Sequence, residues 1–147
     1  MANIEFMHVG MTVSDLDLII NFYSKYLGFR EVRRGKFDEN FIGGSPELYR
    51  QPPGTYSLSA FLESDFGVTL ELFQFSNVEK SPTWEWNMTG YHHLAFKVDS
   101  IPALYKQMQE EDGIEFFFEP KPRGPADANV HWIFFKDPDG NTIELWD

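Results

Sequence analysis

The chain has 147 residues, 12 Lys and Arg against 23 Asp and Glu, a formal net charge of −11, and no cysteine. The length suits one domain with a real core, and 42% hydrophobic with 17% aromatic content excludes a disordered chain. The negative charge opposes non-specific binding to nucleic acid or an anionic membrane, no apolar run reaches the roughly 20 residues of a membrane helix, and disulfide and thiolate chemistry are excluded.

The start, MANIEFMHVG, has no basic region before a long apolar stretch, so a cytoplasmic protein without a secretory signal is expected. A strand follows across HVGMTVSDL (8–16). Met7, Val9, Met11 and Val13 alternate onto one face, expected to pack on helices, and His8 lies opposite with Phe6 and Thr12. Ser14 or Asp15 caps a helix over DLIINFYSKYL (17–27), and Gly28 suits the left-handed residue that stops it. RRGKF (33–37), with Arg30, concentrates four of the twelve cations and reads as a charged strand edge. GGSPELYRQPPGTY (43–56) is dense in Gly and Pro and reads as a loop. A hairpin follows, SLSAFLES (57–64) and VTLELFQF (68–75). In its second strand Val68, Leu70 and Leu72 form the apolar set, and Glu71 lies opposite with Thr69 and Phe73.

The aromatic linker SPTWEWNMTG (81–90) leads into YHHLAFKVDS (91–100). Leu94, Phe96 and Val98 form the core face here, and His93 lies opposite with Ala95 and Lys97. Asp99 or Ser100 is the cap, Pro102 suits the first turn, ALYKQMQEE (103–111) is helical, and Gly113 ends it. NVHWIFFK (129–136), the turn DPDG and NTIELW (141–146) make a second hairpin. Ile143 and Leu145 face the core; Glu144 lies opposite with Thr142 and Trp146. His92 shares the parity of the core face and reads as structural. His131 has apolar residues on both parities, so its face stays open. Trp84 and Trp86 read as linker packing or a dimer contact, with a cleft mouth as the alternative.

These elements are written twice. HVGMTVSDL and HLAFKVDSI stand 85 positions apart, as do Gly28 and Gly113, whereas FGVTLELF (66–73) and DGNTIELW (139–146) stand 73 apart. The first copy therefore carries about twelve extra residues, placed in 43–56. Each copy reads strand–helix–strand–strand–strand: a first module over 3–76, a linker over 77–90 and a second module over 91–147, in one domain spanning 1–147. His8 and His93, and Glu71 and Glu144, form two pairs of matched positions, all pointing away from the helix-facing core. Two imidazoles and two carboxylates on one concave face make a divalent-metal site suited to Zn, Ni, Co, Mn or Fe rather than Ca. Two glutamates balance the ion's charge, and an octahedral ion keeps two positions for water or substrate.

The pattern resembles the vicinal oxygen chelate superfamily (glyoxalase, bleomycin resistance, dioxygenase), and within it the bacterial glyoxalase I branch. FYSKYLGF (22–29), YHHLAFKVDS (91–100) and DPDGNTIEL (137–145) carry the resemblance. It implies an α+β fold of two paired βαβββ modules forming a curved eight-stranded open barrel around a metal cleft. It also implies one divalent metal ion on His8, Glu71, His93 and Glu144, and a homodimer. The implied activity is that of a lyase or isomerase acting on a small α-hydroxycarbonyl or thioester through a metal-stabilised enediolate, with Glu71 and Glu144 as the catalytic carboxylates. HHLAF also resembles methylmalonyl-CoA epimerase, a sister family. Glu144 is preferred as the base because a strand end near the C-terminus shifts more easily. Two rivals rank lower. An extradiol ring-cleaving dioxygenase uses two His and one carboxylate and needs three open positions; a non-catalytic resistance protein lacks the ligands.

Two residues depart from the glyoxalase I pattern. Thr12 stands four residues after His8, where that pattern has an arginine, and Phe75 four after Glu71, where it has an asparagine. Both family residues grip glutathione. Lys97, four after His93, is the only charge at such a spot. Turnover of the methylglyoxal–glutathione adduct is therefore predicted to be weak or absent in a steady-state assay, and efficient turnover would restore the glutathione reading.

Overall fold

The computed structural model describes residues 2–81, 85–110, 114–125 and 129–147. The chain is α+β and forms two compact units, Met1–Lys80 and Ser81–Asp147, each built on a mixed sheet. In the first unit the elements are β1 (Val9–Thr12), α1 (Leu16–Leu27), β2 (Phe29–Phe37), α2 (Glu39–Gly43), α3 (Pro46–Tyr49), β3 (Ser57–Ser64) and β4 (Thr69–Phe75). The sheet order is β1-β4-β3-β2, with β1 parallel to β4 and the other pairs antiparallel.

Helix α1 forms where its caps allow it. The Asp15 carboxylate accepts from the Leu18 N–H at 2.9 Å, and Gly28, at φ 70°, ends the helix with its N–H on the Tyr23 carbonyl. Leu16, Ile19, Tyr23 and Leu27 are buried along one stripe, with Ala60, Leu62, Leu70 and Leu72 of the sheet. Burying each Leu or Ile stabilises by about 1.5–3 kcal/mol. Val13 completes this face, but Met7 does not: it is 78% exposed. The ladder begins at Val9, so alternation has no hold on Met7.

The stretch expected as a loop at 43–56 carries helical turns at both sides of Ser45. The Asp38 carboxylate accepts from the Phe41 N–H at 2.8 Å to start α2, and Pro46 sits in the first turn of α3. The basic stretch lies on β2, an edge strand, as the charged-edge reading expects. Each cation has a local partner. Arg34 bridges Glu31 at 2.8 Å and Asp17 at 2.7 Å, and the hydrogen bond from Arg34 holds the Glu31 carboxyl below its usual range. Arg30 pairs with Asp65, while Arg33 and Lys36 each lie 4.2 Å from a ring centroid, of Phe61 and Tyr56 respectively.

The second unit comprises β5 (His93–Lys97), α4 (Ile101–Gln109), β6 (Glu115–Phe116), β7 (Lys121–Pro122), β8 (His131–Lys136) and β9 (Thr142–Trp146). Its order is β5-β9-β8-β6, with β7 also pairing with β8. Ser100 caps α4 through the Ala103 N–H at 3.4 Å, and Pro102 lies in the first turn. Gly113, expected to end this helix, lies outside the described residues. Ile101, Met108, Ile133, Phe135, Ile143 and Leu145 form the core. The strand expected between α4 and β8 comes as two short pieces, β6 and β7. Pro120, between the two pieces, offers no N–H to the ladder. The turn after β8 is held by the Asp137 carboxylate, which accepts from the N–H groups of Asp139 and Asn141 and from the Asn141 amide. Nine strands are present among the described residues rather than eight, and no closed barrel forms among them. No described helix is long and apolar enough to cross a membrane.

The two units share a fastening that alternation does not reveal. The Leu16 N–H donates to the Gln74 side-chain oxygen at 2.8 Å, and the Ile101 N–H donates to the Asp147 carboxylate at 3.1 Å. Each clasp ties a helix start to the end of its unit's last strand. In the second unit Asp147 also accepts from the His131 N–H at 2.7 Å, and the His131 Nδ1 lies 3.2 Å from it. This is where His131 belongs. Burial pushes the Asp147 carboxyl up, but the two backbone donors and the His131 ring outweigh it, and the net shift is downward. A folded-state pKa below the unfolded value of about 3.9 stabilises above that pH and is lost as pH falls through the folded value. Asp147→Ala is expected to lower stability at pH 7 by about 2–3 kcal/mol. It should also flatten the loss of stability as pH falls below about 4. Urea titrations across pH check both.

Candidate metal centre

The register of the parallel strand pair positions the first two candidate residues. Gly10 of β1 lies opposite Glu71 of β4, and His8 stands one residue before the start of β1, with its imidazole turned to the Glu71 carboxylate. The His8 Nε2 is 3.0 Å from the Glu71 Oε2. The second unit repeats this arrangement. Ala95 of β5 lies opposite Glu144 of β9, His93 precedes Ala95 by two, and its Nε2 is 3.1 Å from the Glu144 Oε2. The glutamate side chains are only 15% and 11% exposed. A buried carboxylate requires a compensating partner, and each imidazole supplies one.

The donor set fits a divalent ion. Both separations are those of a direct imidazole–carboxylate hydrogen bond or ion pair. Imidazole nitrogen with carboxylate oxygen suits Zn, Ni, Co, Mn or Fe. Each unit supplies one pair; among the described residues no three His, Asp or Glu side chains gather closely enough to hold an ion.

Two residues that the sequence reading passed over complete each pair. Phe61 lies opposite Glu71, and Phe134 lies opposite Glu144, in the antiparallel ladders. Their rings meet the imidazoles edge-on, Phe61 at 6.2 Å from His8 and Phe134 at 5.5 Å from His93. Each walls one side of a pair with apolar surface. The signal was available: Phe61 and Phe134 are also 73 positions apart.

His92 departs from the core position its parity implies. The ladder starts at His93, so His92 is free to turn. It is half-buried, stacks on Trp86 at 3.7 Å, and sets its Nδ1 3.3 Å from the Nδ1 of His93. An imidazole there engages the nitrogen of His93 that does not face Glu144, the kind of contact that fixes ring orientation in metal ligands. Trp86 also reaches Phe134 at 5.5 Å, consistent with linker packing within its own unit; Trp84 lies outside the described residues. The loose strand end invoked in favour of Glu144 as the base is not found, because Asp147 fastens the end of β9 on two backbone N–H groups.

Residues 5–145 match the family model described as the Glyoxalase/Bleomycin resistance protein/Dioxygenase superfamily, and the chain belongs to that superfamily. It is 28% identical to the probable lactoylglutathione lyase of Vibrio cholerae, with 99% of this chain and 91% of the relative covered. It is 26% identical to the 2-epi-5-epi-valiolone epimerase of an Actinomyces species, with 94% and 76% covered. The glyoxalase family protein of Bacillus cereus has a similar fold, with a TM-score of 0.77 at 19% identity over 99% of this chain and 97% of that one.

Proposed function

We propose that the protein is a divalent-metal-dependent lyase or isomerase of the glyoxalase type, acting on a small α-hydroxycarbonyl or acyl-thioester substrate. On this reading His8, Glu71, His93 and Glu144 would be the four ligands of one ion, two from each unit. One observation carries the reading: imidazole–carboxylate pairs at 3.0 and 3.1 Å recur at the same register in both units. A bound divalent ion would supply the positive charge that favours an enediolate.

The part played by the chain itself is proton movement. Glu71 or Glu144 accepts the proton from the carbon beside the carbonyl. Return of the proton to the neighbouring carbon isomerises the substrate; return to the opposite face of the same carbon epimerises it. The Vibrio and Actinomyces relatives, named for a lyase and an epimerase, support keeping both outcomes. Phe61 and Phe134 line one side of each carboxylate with apolar surface. An octahedral ion with four protein ligands retains two positions, against the three that catechol and dioxygen need, which ranks ring cleavage lower. A homodimer belongs to the same proposal.

Protein purified without added metal is expected to carry one divalent ion per chain by elemental analysis. His8→Ala and His93→Ala should each abolish stoichiometric binding. Full metal content at native affinity in either variant would remove the ligand assignment. The glutamates separate by a second measurement, substrate-proton exchange in deuterated water. Glu71→Gln and Glu144→Gln can both still coordinate through the amide oxygen. The one that replaces the base should keep its metal and lose about 10²–10⁴-fold in exchange rate. Rapid exchange in both metal-loaded variants would sink the mechanism.

A further inference from the structure

The open face of the first unit's sheet carries more than the His8–Glu71 pair. Phe73 and Phe75 follow Glu71 on β4 with the same parity, about 7 and 13 Å along the strand. They belong to a circuit of five rings. Phe37 contacts Phe41 at 4.7 Å and Phe73 at 5.8 Å; Phe73 contacts Phe75 at 6.3 Å; Tyr49 closes the circuit to Phe75 and Phe41, each at 6.3 Å. The three Phe–Phe contacts are near-parallel, at 26–27°. Phe41, Phe37, Phe73 and Phe75 therefore form an aromatic slab in which each ring is stacked against the next.

The sheet is shaped to carry this slab. Ser57 lies between Phe37 and Phe75 in the ladder, and Ser59 between Gly35 and Phe73. These small residues let the rings lie low, and both serines are buried beneath them. The rings themselves are not sealed. Phe41 is 53% exposed, and Phe37, Tyr49, Phe73 and Phe75 are half-buried. A satellite core would bury its rings, whereas this one presents them on the face that holds Glu71. Phe41 and Tyr49 come from α2 and α3, which have no counterpart among the described residues of the second unit. Thr12, the ladder neighbour of Phe73, brings no charge.

We propose that this slab is the subsite for a planar aryl group carried by the substrate, lying about 7–13 Å from the carbon handled at Glu71. The inference rests on reading the His8–Glu71 pair as part of the reaction centre. The occupant is planar and aromatic because near-parallel rings that remain partly exposed favour stacking. The substrate class is accordingly an aryl-bearing α-hydroxycarbonyl or thioester.

The test separates the slab from the chemistry. Full-length protein, stripped of metal by a chelator, is titrated with 2-naphthol and with cyclohexanol, following naphthol fluorescence and, for both probes, heat. Naphthol should bind in preference to cyclohexanol. Phe41→Ser and Tyr49→Ser should each weaken naphthol about three- to tenfold, the effect of losing one ring contact, while keeping a native circular dichroism spectrum. Leu48→Ser, which removes an exposed apolar side chain outside the circuit, should leave naphthol binding unchanged. Wild-type affinity in both ring variants, or equal loss in Leu48→Ser, overturns the subsite. A proton-exchange screen of aryl and alkyl hydroxycarbonyls on the metal-loaded enzyme completes the separation. Slab-dependent naphthol binding without any exchange supports the subsite and removes the proposed chemistry. Exchange on alkyl compounds without slab-dependent binding does the reverse.

Discussion

The structure depends most on the parallel pairing of the first and last strands in each unit. That register sets Leu70 and Leu72 against α1 in the first unit, and Ile143 and Leu145 into the core of the second. Because side chains alternate, the same register turns Glu71 and Glu144 to the other face. A slip of one residue would bury a carboxylate and expose two core residues together. The hydrophobic term, at about 1.5–3 kcal/mol per buried aliphatic side chain, therefore decides where the reactive groups stand. The glutamates need no separate device to aim them; they occupy the reverse side of the packing pattern.

Duplication explains what the units share, and their differences show where the copies are free to diverge. Both keep a histidine, a glutamate and a phenylalanine in one constellation. Both also clasp a helix start to a strand end, but with Gln74 in one and Asp147 in the other. A neutral amide keeps its acceptor oxygen at any pH. The aspartate recruits His131 as well, which ties the second unit's clasp to ionisation. The insertion between β2 and β3 lies far in sequence from the β1–β4 register, so it could add α2, α3 and their rings without moving Glu71 relative to Gly10.

Much of this was legible because alternation and turn chemistry are local. The parity of His8, Glu71, His93 and Glu144, the stop at Gly28 and the DPDG turn all follow from neighbours within a few residues. The rest depended on where a ladder begins or breaks. Met7, His8 and His92 all precede the first paired residue of their strands, so the ladder holds none of them to parity; His8 still turns to Glu71, whereas Met7 and His92 leave the core face. The helical turn at 46–49 lies in a Gly- and Pro-rich stretch whose composition signals only a loop, and the turn at 39–43 ends where that stretch begins. Pro120 lies in the break between β6 and β7, in a strand that a repeat-based reading leaves whole. His131 was undecidable because its partner, Asp147, is a side chain sixteen residues away, and no periodicity points to such a contact.

The slip in the ladder at Val32 also governs which assemblies the first sheet permits. β2 is that sheet's outer strand, nine residues long, and its register with β3 shifts between Glu31 and Arg33. An unpaired edge of that length is a template for strand addition. The bulge twists the edge out of plane, and Arg30, Arg33, Arg34 and Lys36 line it with charge. A second copy laid along β2 would crowd the contacts these cations make with Asp65, Phe61, Glu31, Asp17 and Tyr56, and would meet a ladder out of step. Continuous intermolecular sheets are thereby discouraged, and self-association through this edge is disfavoured against association through a face.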